Sequence, residues 1–138
     1  MKRFPLLLAI GLAVGASAAR AQQADTLPIR VAERQIAAFN RKDLDGVMAL
    51  FADDATMAEF PSGKIGSPNK AAIRARIETI MKSMTKDFPV VRVDPRVVDG
   101  AFVMDRETWN AAPGQRDHAI WMYEIRGGLI RRAWTIRM

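Results

Sequence analysis

The chain has 138 residues and no cysteine, and its 21 basic and 15 acidic side chains give a formal net charge of +6. The lack of cysteine excludes disulfides, thiolate metal sites and a thiol nucleophile. Acidic residues are interleaved with the basic ones, so the charge does not indicate a nucleic-acid-binding protein. The length suits one domain with a single core and room for one pocket.

The first part of the chain has the order of a secretory signal peptide. Two basic residues precede an apolar run over residues 4–14, and small residues follow it up to Ala21. That run is well short of the roughly 20 residues that a membrane-spanning helix needs, which argues against a transmembrane anchor. Cleavage after Ala21 is favoured over cleavage after Ala18, because it leaves polar glutamines at the new terminus. We therefore expect a signal peptide over 1–21 and a periplasmic or secreted mature domain over 22–138, with no membrane attachment.

Three helices are predicted after the signal peptide. Residues 29–41 place apolar side chains at helical spacing, and Gln35 belongs to that apolar side. A second, shorter helix has Asp43 as its N-cap and continues to Phe51 at the same spacing. The third helix has Ser67 as its cap and a proline in its first position, and its stripe of isoleucine and methionine predicts a buried face.

A sheet is predicted from the change to a period of two after the third helix. An extended run over 55–60 lies between the second and third helices, and Pro95 indicates that its strand is an edge strand or is interrupted there. The later strands are separated by glycine-containing turns, and they are expected over residues 91–98, 101–109, 117–126 and 129–138. Helices followed by an antiparallel meander indicate an α+β fold in which the helices lie in a curved sheet.

Several motifs point to a known family. They are Ala37-Ala38-Phe39-Asn40, Asp43-Leu44-Asp45-Gly46, Ala49-Leu50-Phe51-Ala52-Asp53-Asp54-Ala55-Thr56, Gly66 with Ala71-Ala72-Ile73-Arg74, and Tyr123-Glu124-Ile125-Arg126-Gly127-Gly128-Leu129-Ile130. Together they resemble the nuclear transport factor 2-like, SnoaL-like superfamily, and most closely its ketosteroid isomerases. The resemblance covers nearly all of the mature chain. It implies a cone-shaped α+β barrel, in which three N-terminal helices pack in a curved antiparallel sheet around a pocket.

The resemblance also implies site residues. Isomerases of this group use a carboxylate as proton shuttle and two further groups as an oxyanion hole. Carried over on the matching motifs, the shuttle position falls on Glu59, and the oxyanion-hole positions fall on Gln35 and Trp121, whose amide and indole N–H groups can donate. The same fold hosts isomerases, cyclases, hydrolases, dehydratases and non-catalytic binders, so the resemblance does not select one activity.

Strand alternation makes Glu59 the candidate catalytic residue. It shares a face with Ala55 and Met57, so it points inward if Met57 does. A carboxylate in an apolar pocket is costly unless it is paired or neutral, which is typical of a functional site. The alternative is that Phe60 points inward and Glu59 is a solvated strand residue.

The strand over 101–109 carries three more charged candidates. Asp105 and Glu107 share one face and could serve as acid and base, but an exposed sheet face has the same pattern, and we expect them to be solvated. Arg106 lies on the opposite face, where it could enter the pocket and pair with Glu59 or an anionic ligand.

The strand over 117–126 alternates two sets of apolar side chains. We expect Trp121 and Tyr123 to face the pocket, with Phe39 and Met57, either as ligand contacts or as plain core. Ile120 and Met122 would then lie on the outer face of the sheet, on an apolar patch suited to a homodimer.

The sequence thus predicts an exported pocket protein that binds a small, mainly apolar molecule. If it is an enzyme, it performs a general acid–base isomerase or lyase reaction with Glu59 as base. The alternative is a non-catalytic module that binds a ligand or a partner chain. His118 is the single histidine, and the chain shows no metal-ligand cluster, phosphate loop or Ser/His/Asp set. We therefore expect no metal, no cofactor and no nucleic acid.

Overall fold

The structure is a computed structural model that describes residues 27–85, 88–112 and 114–137, so the predicted signal peptide lies outside the described residues. The helices are α1 (Pro28–Asn40), α2 (Leu44–Met48) and α3 (Lys70–Ser83). The strands are β1 (Phe51–Glu59), β2 (Ile65–Ser67), β3 (Val91–Asp99), β4 (Phe102–Ala112), β5 (Gln115–Arg126) and β6 (Leu129–Arg137). No helix among these residues is long and apolar enough to cross a membrane.

The second helix is shorter than its apolar spacing predicts. Asp43 is its N-cap as expected, since its side chain accepts a hydrogen bond from the backbone N–H of Gly46 over 2.8 Å. The helix ends at Met48, however, and Phe51 begins β1 beside Ile130 of β6. The predicted extension to Phe51 is therefore wrong, because pairing with β6 fixes that residue in the sheet.

The third helix starts later than predicted. Asn69 is its N-cap, and the Asn69 side chain accepts a hydrogen bond from the backbone N–H of Ala72 over 2.9 Å. Ser67, the predicted cap, is instead the last residue of β2, where it is 1% exposed and pairs with Met57. The predicted apolar stripe does face the core, with Ile73, Ile77 and Met81 buried.

The six strands form one curved sheet in the order β2-β1-β6-β5-β4-β3. Strands β3 to β6 are the predicted antiparallel meander, but β1 is parallel to β6, so the sheet is mixed. The sheet is also open, because β2 and β3 lie at opposite ends of the order. The β5–β6 turn has positive φ at both Gly127 and Gly128, 59° and 76°, a geometry that glycine adopts without strain.

The core lies between the helices and the concave face of the sheet. Val31 of α1, Val47 of α2 and Ile73 of α3 are fully buried against Phe51 and Ile130 of the sheet. Helices on one face of a mostly antiparallel sheet make this an α+β fold, and the predicted fold class is confirmed. The core does not fill all the space between the layers.

Candidate functional site

A cavity of about 310 Å³ lies between helices α1 and α3 and the sheet. Its walls are mainly aromatic and aliphatic, and the aromatic ones are Phe39, Phe51, Phe88, Trp109, Trp121 and Tyr123. Two of these rings, Trp121 and Tyr123, stack with an interplanar angle of 6° and centroids 6.1 Å apart. Such a cavity suits a small molecule that is apolar over most of its surface.

Five of the residues predicted from the sequence meet at this cavity. They are Gln35, Phe39, Met57, Trp121 and Tyr123. Two helical residues and three strand residues thus converge, because the concave face of the sheet presents alternate side chains of β1 and β5 to α1. Their role as ligand contacts stays a prediction.

Glu59 does not reach the cavity, so its expected place inside the pocket is wrong. It is an exposed residue at the end of β1, and its backbone N–H donates to the carbonyl oxygen of Lys64 in the following turn. The pairing register of β1 with β2 shifts between Met57 and Ala58, and both of these neighbours are buried. The extra residue of that shift belongs to β2, and against β6 the register of β1 is regular from Thr56 to Glu59. Glu59 therefore keeps the face of Met57, but as the last residue of β1 it lies in solvent beyond the cavity.

Both expectations for the charged residues of β4 are also wrong. Arg106 is exposed on the outer face of the sheet and does not line the cavity. Asp105 and Glu107, expected in solvent, are only 0% and 5% exposed and face the helices. Alternation correctly separates the two sets, but it does not tell which set faces inward. Both faces of β4 carry apolar residues, Val103 beside the two acids and Met104 on the opposite face, so the sequence of this strand does not decide it.

Glu107 is the buried acid that lines the cavity. The hydroxyl of Tyr123 donates to Glu107 Oε1 over 3.2 Å, and Gln35 Oε1 lies 3.5 Å from the same hydroxyl. Burial, and to a lesser extent the charge of Asp105, raise the pKa of Glu107 from 4.5 to about 8, although Tyr123 and Arg96 act in the opposite direction.

The polar contacts of Tyr123 fit a protonated Glu107. The Tyr123 hydroxyl has a single hydrogen, but two acceptor oxygens lie within reach. If Glu107 is neutral, its own proton can be donated to the Tyr123 oxygen, and Tyr123 can then donate to Gln35 Oε1. Burial and the adjacent acids also raise the pKa of Tyr123, so the phenol stays neutral.

Asp105, the neighbouring acid, is neutralised by a buried arginine. Arg96 of β3 donates from Nε to Asp105 Oδ1 over 2.6 Å and from Nη2 to Oδ2 over 2.7 Å. The side chains are 6% and 0% exposed, and Arg96 Nη1 also lies 3.5 Å from Glu33 Oε1 of α1. The bond to Asp105 raises the pKa of Arg96 further, so the guanidinium remains charged. Asp105 therefore has its own counter-ion, whereas Glu107 accepts a hydrogen bond from the neutral hydroxyl of Tyr123.

Among the described residues, no group of three or more His, Cys, Asp or Glu side chains is placed to hold a metal ion. The polar groups at the cavity are instead suited to hydrogen bonding and proton exchange. They belong to Gln35, Arg76, Ser83, Glu107, Asp117, Tyr123 and Thr135.

Comparison with known proteins points to a common fold. Residues 32–133 match the family model of the SnoaL-like domain. A cystatin-fold protein of uncharacterized function from Novosphingobium aromaticivorans is 21% identical, with a TM-score of 0.69 over 80% of this chain and 97% of that one. A "putative ketosteroid isomerase" from Kribbella flavida is 16% identical, with a TM-score of 0.65 over 83% of this chain and 80% of that one. A "putative polyketide cyclase" from Sinorhizobium meliloti is 20% identical, with a TM-score of 0.60 over 76% of this chain and 92% of that one. At these identities the likeness shows the fold alone.

Proposed function

This chain belongs to the SnoaL-like domain family, and from that premise we propose that it binds a small, mainly apolar molecule in its cavity and exchanges a proton with it through Glu107. The observation that carries the proposal is the position of Glu107, a buried carboxyl group on the wall of an otherwise largely apolar cavity. The export of the mature domain is part of the same proposal and rests on the sequence of residues 1–21.

The protonation behaviour of Glu107 suits an acid–base group. A general acid or base is most effective when its pKa lies near the working pH, because both protonation states are then accessible. Burial brings the pKa of Glu107 to about 8, within reach of neutral pH. The ionised form can take a proton from a carbon atom next to a carbonyl group, and the protonated form can return it to another position. Such an isomerisation leaves the atoms of the molecule unchanged in number and needs no cofactor.

Glu107 replaces Glu59 in the proposed role. The isomerase resemblance implies a carboxylate on β1, but Glu59 is exposed there and lies outside the cavity lining. Glu107 reaches the same cavity from β4, on the opposite side of β6 from β1 in the strand order. The proposed chemistry therefore belongs to the same general class, while the group that performs it comes from another strand.

A non-catalytic binding module is the second candidate, and one observation favours it. Glu107 is hydrogen-bonded to Tyr123, and the neighbouring Asp105 is paired with Arg96, as structural polar groups would be. Among the described residues, no buried side-chain nitrogen or oxygen lacks a hydrogen-bond partner. In this case the cavity would hold a ligand whose polar end contacts Glu107 without any proton leaving it.

Deuterium exchange into a probe ketone separates the two candidates. 2-Tetralone is a small bicyclic ketone with acidic protons next to its carbonyl group, and its exchange in D₂O can be followed by proton NMR. We expect the wild type to accelerate this exchange, Glu107→Gln to lose the acceleration, and Glu59→Gln to keep it. Equal exchange with wild type, Glu107→Gln and buffer alone would contradict proton transfer.

Binding is measured separately in the same samples. Trp109 and Trp121 line the cavity, so quenching of tryptophan fluorescence by 2-tetralone reports occupancy. Binding without exchange would support the non-catalytic module, and mass spectrometry of molecules that co-purify with the protein would then identify its natural ligand. Absence of both binding and exchange would contradict a pocket for small apolar ketones.

A further inference from the structure

Among the described residues that line the cavity, Arg76 carries the positive charge. It lies on α3 one residue before the buried Ile77, and its side chain is half-buried. The other acidic or basic groups of the lining are Glu107 and Asp117. No hydrogen bond or ion pair joins Arg76 to another described residue, so its guanidinium is free to meet a ligand.

Two other arginines, Arg74 and Arg96, differ from Arg76 because each forms an ion pair. Arg74, two residues earlier on the same helix, donates to Asp45 Oδ1 over 2.7 Å. Arg96, which lies behind the cavity wall, is held by both oxygens of Asp105. Arg74 and Arg96 thus each have an acidic partner, whereas no ion pair joins Arg76 to an acidic side chain in the described part of the chain.

The guanidinium of Arg76 lies close to β2. A Cβ atom at Gly66 would lie 3.1 Å from Arg76 Nη1, which is tight packing, so glycine leaves the space that the guanidinium occupies. A guanidinium partly removed from water gains most from a planar anion that accepts two of its hydrogen bonds. Neither Glu107 nor Asp117, the acidic groups among the described lining residues, forms an ion pair with Arg76.

We propose that the ligand of this cavity is a small apolar carboxylic acid, whose carboxylate binds Arg76 while its apolar body lies against the aromatic walls. This inference rests on the proposed small-molecule pocket and names the class of molecule that enters it. A monoanion fits better than a phosphate dianion, because Arg76 supplies one positive charge and Asp117, also in the lining, supplies a negative one. Asp117 is exposed, and its Oδ1 already accepts a hydrogen bond from the backbone N–H of His118 over 2.9 Å.

The test compares two probes of the same shape. 2-Naphthoate and 2-naphthamide share an apolar body, but only the former carries a charge at about pH 6. Calorimetry and tryptophan quenching give both affinities for the wild type, for Arg76→Gln and for Arg76→Lys. Arg74→Gln is the matched control, since it removes the same charge from the exposed side of the same helix.

We expect the wild type to bind naphthoate at least about tenfold more tightly than naphthamide, as a charge-assisted, two-pronged contact predicts. Arg76→Gln should abolish that preference, Arg76→Lys should keep part of it, and Arg74→Gln should keep all of it. Thermal melts and circular dichroism of each variant confirm that it is folded before its affinities are compared.

The outcomes separate this inference from the pocket itself. Equal binding of both probes, unchanged by Arg76→Gln, would contradict the proposed contact between Arg76 and a ligand carboxylate, but it would still support the apolar pocket. A preference lost equally in Arg74→Gln and Arg76→Gln would attribute it to overall charge, and would also overturn the specific contact. Binding of neither probe would overturn the apolar pocket and the carboxylate together.

Discussion

The hydroxyl of Tyr123 donates a hydrogen bond to Glu107 Oε1 over 3.2 Å, and both side chains are almost fully buried. A neutral phenol is a weaker partner for a carboxylate than a cation, so it does not offset the cost of burying a negative charge. Glu107 therefore retains its proton to a higher pH than an exposed glutamate does. The chemistry and the stability of the protein are coupled through this one proton.

The first prediction is that Glu107→Gln changes how stability depends on pH. The folded carboxyl group keeps its proton up to about pH 8, whereas in the unfolded chain it ionises near 4.5. Between these values the native state binds more protons, so the free energy of unfolding of the wild type falls as pH rises. The fall is at most about 1.4 kcal/mol per pH unit from this group and levels off above its folded pKa.

Glutamine is close in shape and does not titrate, so this slope should disappear in the variant. Urea unfolding of the wild type and Glu107→Gln between about pH 4.5 and pH 8 measures the slope of the free energy of unfolding, with Glu59→Gln as the exposed control. We expect Glu107→Gln to exceed the wild type in stability at the alkaline end, and Glu59→Gln to stay within about 0.5 kcal/mol of the wild type throughout. Parallel pH curves for all three proteins would show that Glu107 is ionised in the native state.

The second prediction concerns the buried ion pair between Arg96 and Asp105. Arg96→Met leaves the Asp105 carboxylate buried without its counter-ion, which should cost on the order of 3–5 kcal/mol of stability. Adding Asp105→Leu to Arg96→Met removes the orphaned charge and should recover much of that loss. A double-mutant cycle in urea gives the coupling energy between the two residues.

The exposed pair Arg131–Asp54, with an N–O distance of 2.7 Å, is the control for that cycle. Its side chains are 43% and 73% exposed, so solvent screening should leave little coupling. A coupling at Arg96–Asp105 no larger than at the control would mean that the buried pair adds nothing specific to the native state.

The third prediction is a homodimer through the outer face of the sheet. Met104, Met122 and Trp134 lie side by side there on neighbouring strands, as the pairing register shows, and each is partly exposed. A second copy of the chain could cover this apolar surface. Light scattering should give the mass of a dimer for the wild type and of a monomer for Met122→Lys.

The control substitution is Ile29→Lys, which places the same charge at an apolar residue of α1 that is 37% exposed. It should leave the dimer intact, since α1 lies on the other side of the sheet. A dimer that survives Met122→Lys would require a different interface, and a monomeric wild type would remove the interface altogether.

The fourth prediction is that the exported protein begins near Gln22. Intact mass of the form secreted by an expressing cell should match residues 22–138, because Ala21 completes the small-x-small pattern that signal peptidase cleaves. Replacing Ala19 and Ala21 by bulky residues is the matched variant and should block processing at that site. A soluble exported form that still contains residues 1–21 would contradict the prediction.

The sequence predicts the fold better than it predicts the site. The helix cap at Asp43 and the turn at Gly127-Gly128 are predicted correctly because each depends on nearby residues alone. A local hydrogen bond forms the cap, and the backbone conformation of the two glycines forms the turn. The start of α3 was misplaced because Ser67 is a good cap in isolation, but pairing with Met57 takes it into β2. Strand pairing joins residues that are distant in sequence, so it cannot be predicted from the local pattern of residues around Ser67.

The errors at the site have the same origin. Alternation assigns Glu107 and Arg106 to opposite faces of β4, but the choice of the inner face depends on how the whole sheet curves around the helices. The partner that makes burial of Asp105 possible, Arg96, lies on a different strand. Glu59 keeps the register of Met57 against β6, but it is the last residue of β1 and lies exposed beyond the cavity, and the residues around it do not tell where the cavity ends.

The two open edges of the sheet have a consequence for behaviour at high concentration. The β2 edge is only three residues long, and the β3 edge contains Pro95, which has no N–H to donate, together with a register shift between Val93 and Val97. An incoming strand would find few consecutive backbone partners at either edge, and such short or interrupted edges are how sheets avoid growing into fibrils. The fold should therefore resist amyloid-like stacking even though its sheet never closes.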